Sequence, residues 1–178
     1  MQLIRGFYNL PNHSVLTNGC ILSIGNFDGV HLGHQQILAR LINKSAELSL
    51  PSVVMLFEPQ PREFFAKKVG DLTAYNVPAR LMRLRDKLKY LEKSGIDFVL
   101  CVRFSERFAK LTAEEFIQDL LVKRLKVRYL SVGDDFRFGA KRAGDYHTLQ
   151  EAGKTFNFTV EDSHTPSFEQ ARISSSLI

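Results

Sequence analysis

Five short apolar runs, separated by stretches with helical spacing, constrain the fold more than any other feature of the chain. They are ILSIG (21–25), SVVMLF (52–57), DFVLCV (97–102), VRYLSVG (127–133) and NFTVED (157–162). SVVMLF is β-branched and apolar at successive positions, so both of its faces are expected to be buried, as in a parallel strand. Between the first two runs, Ile37, Leu38, Leu41, Ile42 and Leu48 follow a helical period until Pro51 breaks it. EPQPREFF, after the second run, reads as a loop. In residues 79–92, Leu81, Leu84, Leu88 and Leu91 form a stripe, with Arg83, Arg85, Lys87 and Lys89 off it on a solvated face. Residues 112–125 open with a Thr cap and acids in the first turn, and 144–153 read as a last helix. Strands alternating with helices imply an α/β fold: a doubly wound, mostly parallel five-stranded sheet with helices on both faces. Ligands bind such sheets at the carboxyl ends of the strands, where the winding reverses.

A chain of 178 residues suits one domain spanning 1–178, and 44% hydrophobic with 24% charged residues excludes a disordered chain. The net charge of +5 permits anionic partners but is scattered. The basic 79–92 segment lacks the interleaved aromatics of a nucleic-acid surface, so no nucleic acid is expected. Cys20 and Cys101 sit in strand-like surroundings and read as buried thiols rather than a disulfide or metal ligands. No run has signal-peptide or membrane-spanning length, which makes the cytoplasm the expected location and no membrane an expected partner. The sequence sets no oligomeric state.

The chemistry concentrates at IGNFDGVHLGHQQIL (24–38). A strand ends near Gly25 and a helix begins near Gly33. His31 and His34 are three apart, so a helix start sets both on one face, beside unpaired backbone N–H groups and the positive end of the helix dipole. Gly29 and Gly33 allow tight turning and close approach to a ligand. Imidazoles there can donate to phosphate oxygens. Shared zinc ligation is disfavoured, because the Glu or Cys partners of zinc motifs are missing.

H-x-G-H after a first strand resembles the signature of the small adenylyl- and cytidylyltransferases of the nucleotidyltransferase superfamily. The longer string GNFDGVHLGHQ is similar to the N-terminal module of the bacterial bifunctional riboflavin kinase/FMN adenylyltransferases, the prokaryotic FAD synthetases. Three further segments resemble that family in order: LFEPQPREFF, VGDDFRFGAKRAGD and RISSSLI. The resemblance implies transfer of AMP from ATP to the FMN phosphate, giving FAD and pyrophosphate. The substrate phosphate is itself the nucleophile, so the protein's task is positioning and neutralising charge. Mg²⁺ is implied as cofactor, held mainly by the ATP phosphates, with no protein ligand assigned.

By the same resemblance, His31, His34, Arg172, Ser174 and Ser175 carry catalysis, the last three on a counterpart of the K-M-S-K-S loop. Gly25, Asn26, Phe27, Asp28, Gly29, Gly33, Gly133, Asp134, Asp135 and Ser176 are expected around ATP. Whether Asp135 serves ribose, metal or backbone stays open, since many relatives carry Asn near it and Gly-Asp-Asp is also ordinary turn chemistry. Phe57, Pro59, Pro61, Phe64, Phe136 and Phe138, with Phe65 beside them, are the flavin candidates. Each phenylalanine is as readily a core residue. The rivals are a related enzyme with another phosphate acceptor, such as phosphopantetheine, and a non-catalytic nucleotide- or RNA-binding module. The family's proteins continue into a β-barrel riboflavin kinase module that this sequence lacks, so riboflavin phosphorylation is not expected of it.

Overall fold

The computed structural model describes residues 1–12, 16–29, 32–70 and 79–164. Six strands form one sheet: β1 (Gln2–Arg5), β2 (Cys20–Ile24), β3 (Ser52–Glu58), β4 (Phe98–Arg103), β5 (Val127–Val132) and β6 (Thr159–Asp162). Their spatial order is β1-β4-β3-β2-β5-β6 and every pairing is parallel. The α/β class holds, but the expected five strands become six. QLIR has little apolar pattern of its own; it is an edge strand recruited by the register Leu3↔Val99 and Ile4↔Leu100.

Successive β3 residues feed opposite faces of the sheet. Val53 and Met55 enter one apolar cluster with Leu22, Leu130, Phe116, Leu120 and Leu149. Val54 and Leu56 enter the other with Ile21, Leu38, Leu41 and Leu91. Helices α1 (Leu32–Leu48) and α3 (Leu84–Lys93) therefore cover one face. The other face is covered by α6 (Tyr146–Phe156) and by a helix that starts as α5 (Ala113–Glu115) and continues with π-helical bonding over Phe116–Arg124. Thr112 caps that helix: its hydroxyl accepts from the Glu115 N–H, and the Glu115 carboxylate accepts from the Thr112 N–H. A short α4 (Glu106–Ala109) follows β4. Cys20 and Cys101 are both buried free thiols. No described helix is long and apolar enough to cross a membrane.

Two segments differ from the sequence reading. EPQPREFF is not a loop: Pro61 opens α2 (Pro61–Val69), because proline's fixed φ suits a first helical position and Glu63 accepts from the Gln60 N–H. The basic segment becomes helical only at Leu84, which leaves Leu81 78% exposed in place of its expected core position. Lys87 is also turned inward, at 6% exposure, where a solvated face was expected: three residues after Leu84 and four before Leu91, it shares the buried side of the helix.

Candidate active site

Strand order reverses between β2 and β5: the chain winds from β2 through β3 to β4 on one side, and from β5 to β6 on the other. The carboxyl ends of β2 and β5 thus border the crevice where parallel sheets bind ligands. Both ends carry the motifs singled out above.

The β2 exit is tightly built. Gly25 N–H donates to Met55 O at 3.3 Å. Phe27 takes a left-handed φ of 47° and is 3% exposed, packed with Ile37 and Leu38. An aromatic residue pays a strain cost for that backbone, and burial of its ring against α1 compensates. The Phe27 ring lies 5.2 Å from that of His34, the third residue of α1, which is half-buried. Both Asp28 carboxylate oxygens accept backbone N–H groups, from Leu81 and Met82, each at 3.0 Å. Gly29 has φ 72°, and a Cβ there would stand 2.7 Å from Leu81 Cδ1. Lys87 Nζ donates to Asn26 O at 2.5 Å. Its burial pushes the ammonium pKa down, against the pull of Asp28. Nearby, Arg80 grips Glu58 at 2.7 and 3.0 Å and also bonds Glu63, holding the Glu63 carboxyl below its usual range. The turn is therefore clamped from β3, α2 and α3 before any ligand arrives. Helix α1 has no acid in its first turn, so nothing there competes with an anion for its amides.

The β5 exit is open and acidic. Gly133 O accepts from Phe136 N–H at 3.0 Å, closing a turn that leaves Asp134 and Asp135 exposed. His164, just beyond β6, sets Nδ1 3.5 Å from Asp134 Oδ1 and 3.7 Å from Asp162 Oδ1. Ligand atoms of Asp134, Asp135 and His164 all lie within 4.8 Å of one another. Two carboxylates suit a hard divalent cation, while the imidazole is a poorer ligand for Mg²⁺. A Cβ at 133 would sit 2.5 Å from His164 Cε1 and 2.6 Å from Asp135 Oδ1, so any side chain there displaces those two exposed groups. Arg40 braces α1 against this region by donating to Ser163 O at 2.5 Å. His164 escaped the sequence reading because nothing in its local pattern marks it; the β5–β6 pairing Val132↔Asp162 brings it to Asp134.

The flavin candidates divide. Phe57 meets Phe104 edge-on at 6.0 Å, and Phe104 meets Phe64 and Phe65 at 5.3 and 5.7 Å. All four are half-buried. Phe104 was not anticipated; it follows β4 and joins the cluster only because β4 pairs with β3. Pro59, after a cis Glu58–Pro59 bond, and Pro61 carry the chain into α2 beneath that cluster. Phe136 is half-buried and stacks on Phe138 at 5.7 Å, whereas Phe138 is 6% exposed and packs on Phe116 in the core. His31, Arg172, Ser174, Ser175 and Ser176 lie outside the described residues.

A family model described as FAD synthetase matches residues 13–177. The bifunctional riboflavin kinase/FMN adenylyltransferase of Escherichia coli K12 is 52% identical over all 178 residues, which is 54% of its own length. The proteins of that name from Haemophilus influenzae and Pseudomonas fluorescens are 51% and 48% identical, again over the whole chain and 54% of theirs. The chain thus spans about half the length of these relatives. A solved structure named as a macrolide-efflux protein from Streptococcus pneumoniae shares the fold, with a TM-score of 0.66 at 22% identity, covering 91% of this chain and 50% of that one. The chain belongs to the FAD synthetase family.

Proposed function

We propose that residues 1–178 form one FMN adenylyltransferase domain, joining FMN and ATP to give FAD and pyrophosphate. The observation that carries this reading is the meeting of the Gly25–Gly29 turn and the start of α1 with Gly133–Asp135 at the winding reversal, in a member of this family. An FMN phosphate oxygen attacks the α-phosphorus of ATP in line, and the bond to pyrophosphate breaks. No side chain need be the nucleophile, so the work is charge stabilisation and alignment. His34 and the first-turn amides of α1 face the triphosphate as donors, with His31 in the same role. Arg172 binds the leaving pyrophosphate, and Ser174, Ser175 and Ser176 donate to the same oxygens. Gly25, Asn26, Gly29 and Gly33 line the nucleotide's path, while Phe27 and Asp28 act by holding that turn in shape. Mg²⁺, when bound, neutralises phosphate charge; the nucleotide supplies most of its ligands, and Asp134 and Asp135 are the carboxylates in reach. The isoalloxazine ring rests near Phe57, Phe64, Phe104 and Phe136, with Pro59 and Pro61 shaping that wall. Riboflavin kinase, the other activity in the relatives' names, falls on this proposal to the part of those relatives that the chain does not match.

Product analysis with FMN plus ATP, riboflavin plus ATP, and phosphopantetheine plus ATP tests the reading. FAD is expected from the first mixture alone. Absence of FAD, or an adenylylated phosphopantetheine, overturns it.

A further inference from the structure

A second cleft, of about 680 Å³, opens at the carboxyl ends of β1 and β4, beneath the helix that follows Thr112. That volume lies in the range of small-molecule sites. It is offset from the winding reversal: Val102 and Arg103 of β4 line it, and β3 stands between β4 and β2, two strand spacings or roughly 10 Å. Its floor is aromatic. Phe7 and Tyr8 pack ring to ring at 4.2 Å, Phe108 lies 6.0 Å from Phe7, and Tyr8 is 51% exposed.

Its rim is cationic. The Arg124 guanidinium sits 5.4 Å from both the Phe7 and Tyr8 rings, and that of Arg107 sits 5.1 Å from Tyr8. Arg103 completes the rim. Of the two acids in the cleft, Asp119 is paired with Lys123 at 2.9 Å. Among the described residues, Arg103, Arg107 and Arg124 have no carboxylate partner. With Lys123, the lining carries four cations against the two carboxylates of Glu115 and Asp119, a surplus of positive charge on one concave surface that favours an anion. A guanidinium resting on a ring keeps its in-plane N–H donors available to phosphate oxygens. The aromatic floor adds a stacking surface for a flat ring.

We infer that this cleft is a second ligand site for a planar aromatic ring carrying phosphate, the chemistry shared by flavin mononucleotides and adenine nucleotides. The flat ring stacks at Tyr8 and the phosphate bonds to Arg107 and Arg124. Phe108 on the floor also meets Phe57 and Phe104 of the proposed flavin wall, each at 5.6 Å, but Tyr8, Arg107 and Arg124, on which the site rests, belong neither to that wall nor to the crevice between β2 and β5.

Equilibrium dialysis of the full chain with FMN and, separately, with ADP tests this. The comparison is wild type against R107Q/R124Q, with Y8A as a second variant that leaves the charges in place. Tm and the rate of FAD synthesis are followed alongside. Wild type is expected to bind about one ligand per chain more than R107Q/R124Q, with at least a tenfold weaker second site in Y8A, and with Tm and FAD synthesis within twofold of wild type. The ligand showing the difference, FMN or ADP, identifies the source. Equal stoichiometry in wild type and double variant with both ligands overturns the inference. So does a loss of FAD synthesis that parallels the loss of binding, since the cleft would then be part of the catalytic crevice. If wild type makes no FAD but the stoichiometry difference persists, the catalytic reading fails and the second site stands.

Discussion

Replacing Asp28 with alanine removes the clamp between the β2 exit and the approach to α3. Two charge-assisted hydrogen bonds, to the Leu81 and Met82 amides at 3.0 Å, are lost together. Each bond of this kind is worth about 1.5–3 kcal/mol when shielded. Leu81 is exposed and Asp28 only half-buried, so water re-solvates part of what is lost, and the lower end applies. The expected cost of D28A is about 3 kcal/mol, or a fall in Tm of roughly 6–12 °C for a domain of this size. D28N keeps one acceptor and should cost about half as much. The loss should also reach activity, because Gly29 would no longer be held against Leu81 and the turn leading to α1 would loosen. Thermal unfolding followed by circular dichroism gives the first number, and FAD synthesis well below the new Tm gives the second. If D28A unfolds within 2 °C of wild type, the two hydrogen bonds do not hold the turn, and the account of Asp28 as a clamp is wrong.

Three further outcomes can be checked. H34A should lower the turnover for FAD synthesis by about 10²-fold, in line with removal of one preorganised donor, while ATP affinity measured by calorimetry changes less than tenfold; equal losses in both would make His34 a binding residue only. G133A places a methyl group against the ends of two exposed side chains, His164 and Asp135, which can swing aside. Its Tm should therefore stay within about 3 °C of wild type, while FAD synthesis falls more than tenfold because Asp135 is displaced; full activity would exclude Asp135 from the site. Lys87 is buried with its pKa lowered from 10.5, so the folded state disfavours its charge, and that handicap fades as pH rises through the lowered value toward 10.5. Urea unfolding of wild type and K87M should show wild type gaining relative stability from pH 7 to pH 10, and a flat difference would show that burial does not perturb this lysine.

The sequence by itself determined five of the six strands and the order in which strands and helices alternate, though not the helix in EPQPREFF or the start of α3. SVVMLF, apolar at every step from Val53 to Phe57, reads as a strand covered on both sides, and it is. Gly29 and the helix starting next to His34 were legible because a strand-to-helix turn demands flexible backbone there. The quoted motifs also named the family, since four spaced strings carry far more information than any one of them.

What the tertiary structure alone decided is which distant segments meet. QLIR acquires strand character from β4, not from its own pattern, because the edge backbone finds hydrogen-bond partners there. Lys87 looks like any surface lysine until α3 is docked, and then its ammonium lies against Asn26 O. Phe104 and His164 carry no local signal; they join their clusters through the pairings β3–β4 and β5–β6. The physical reason is common to all four. Local pattern reports propensity and amphipathicity within about one element length, whereas strand register sets contacts across tens of residues. A functional site at the end of a parallel sheet is assembled from those long-range contacts.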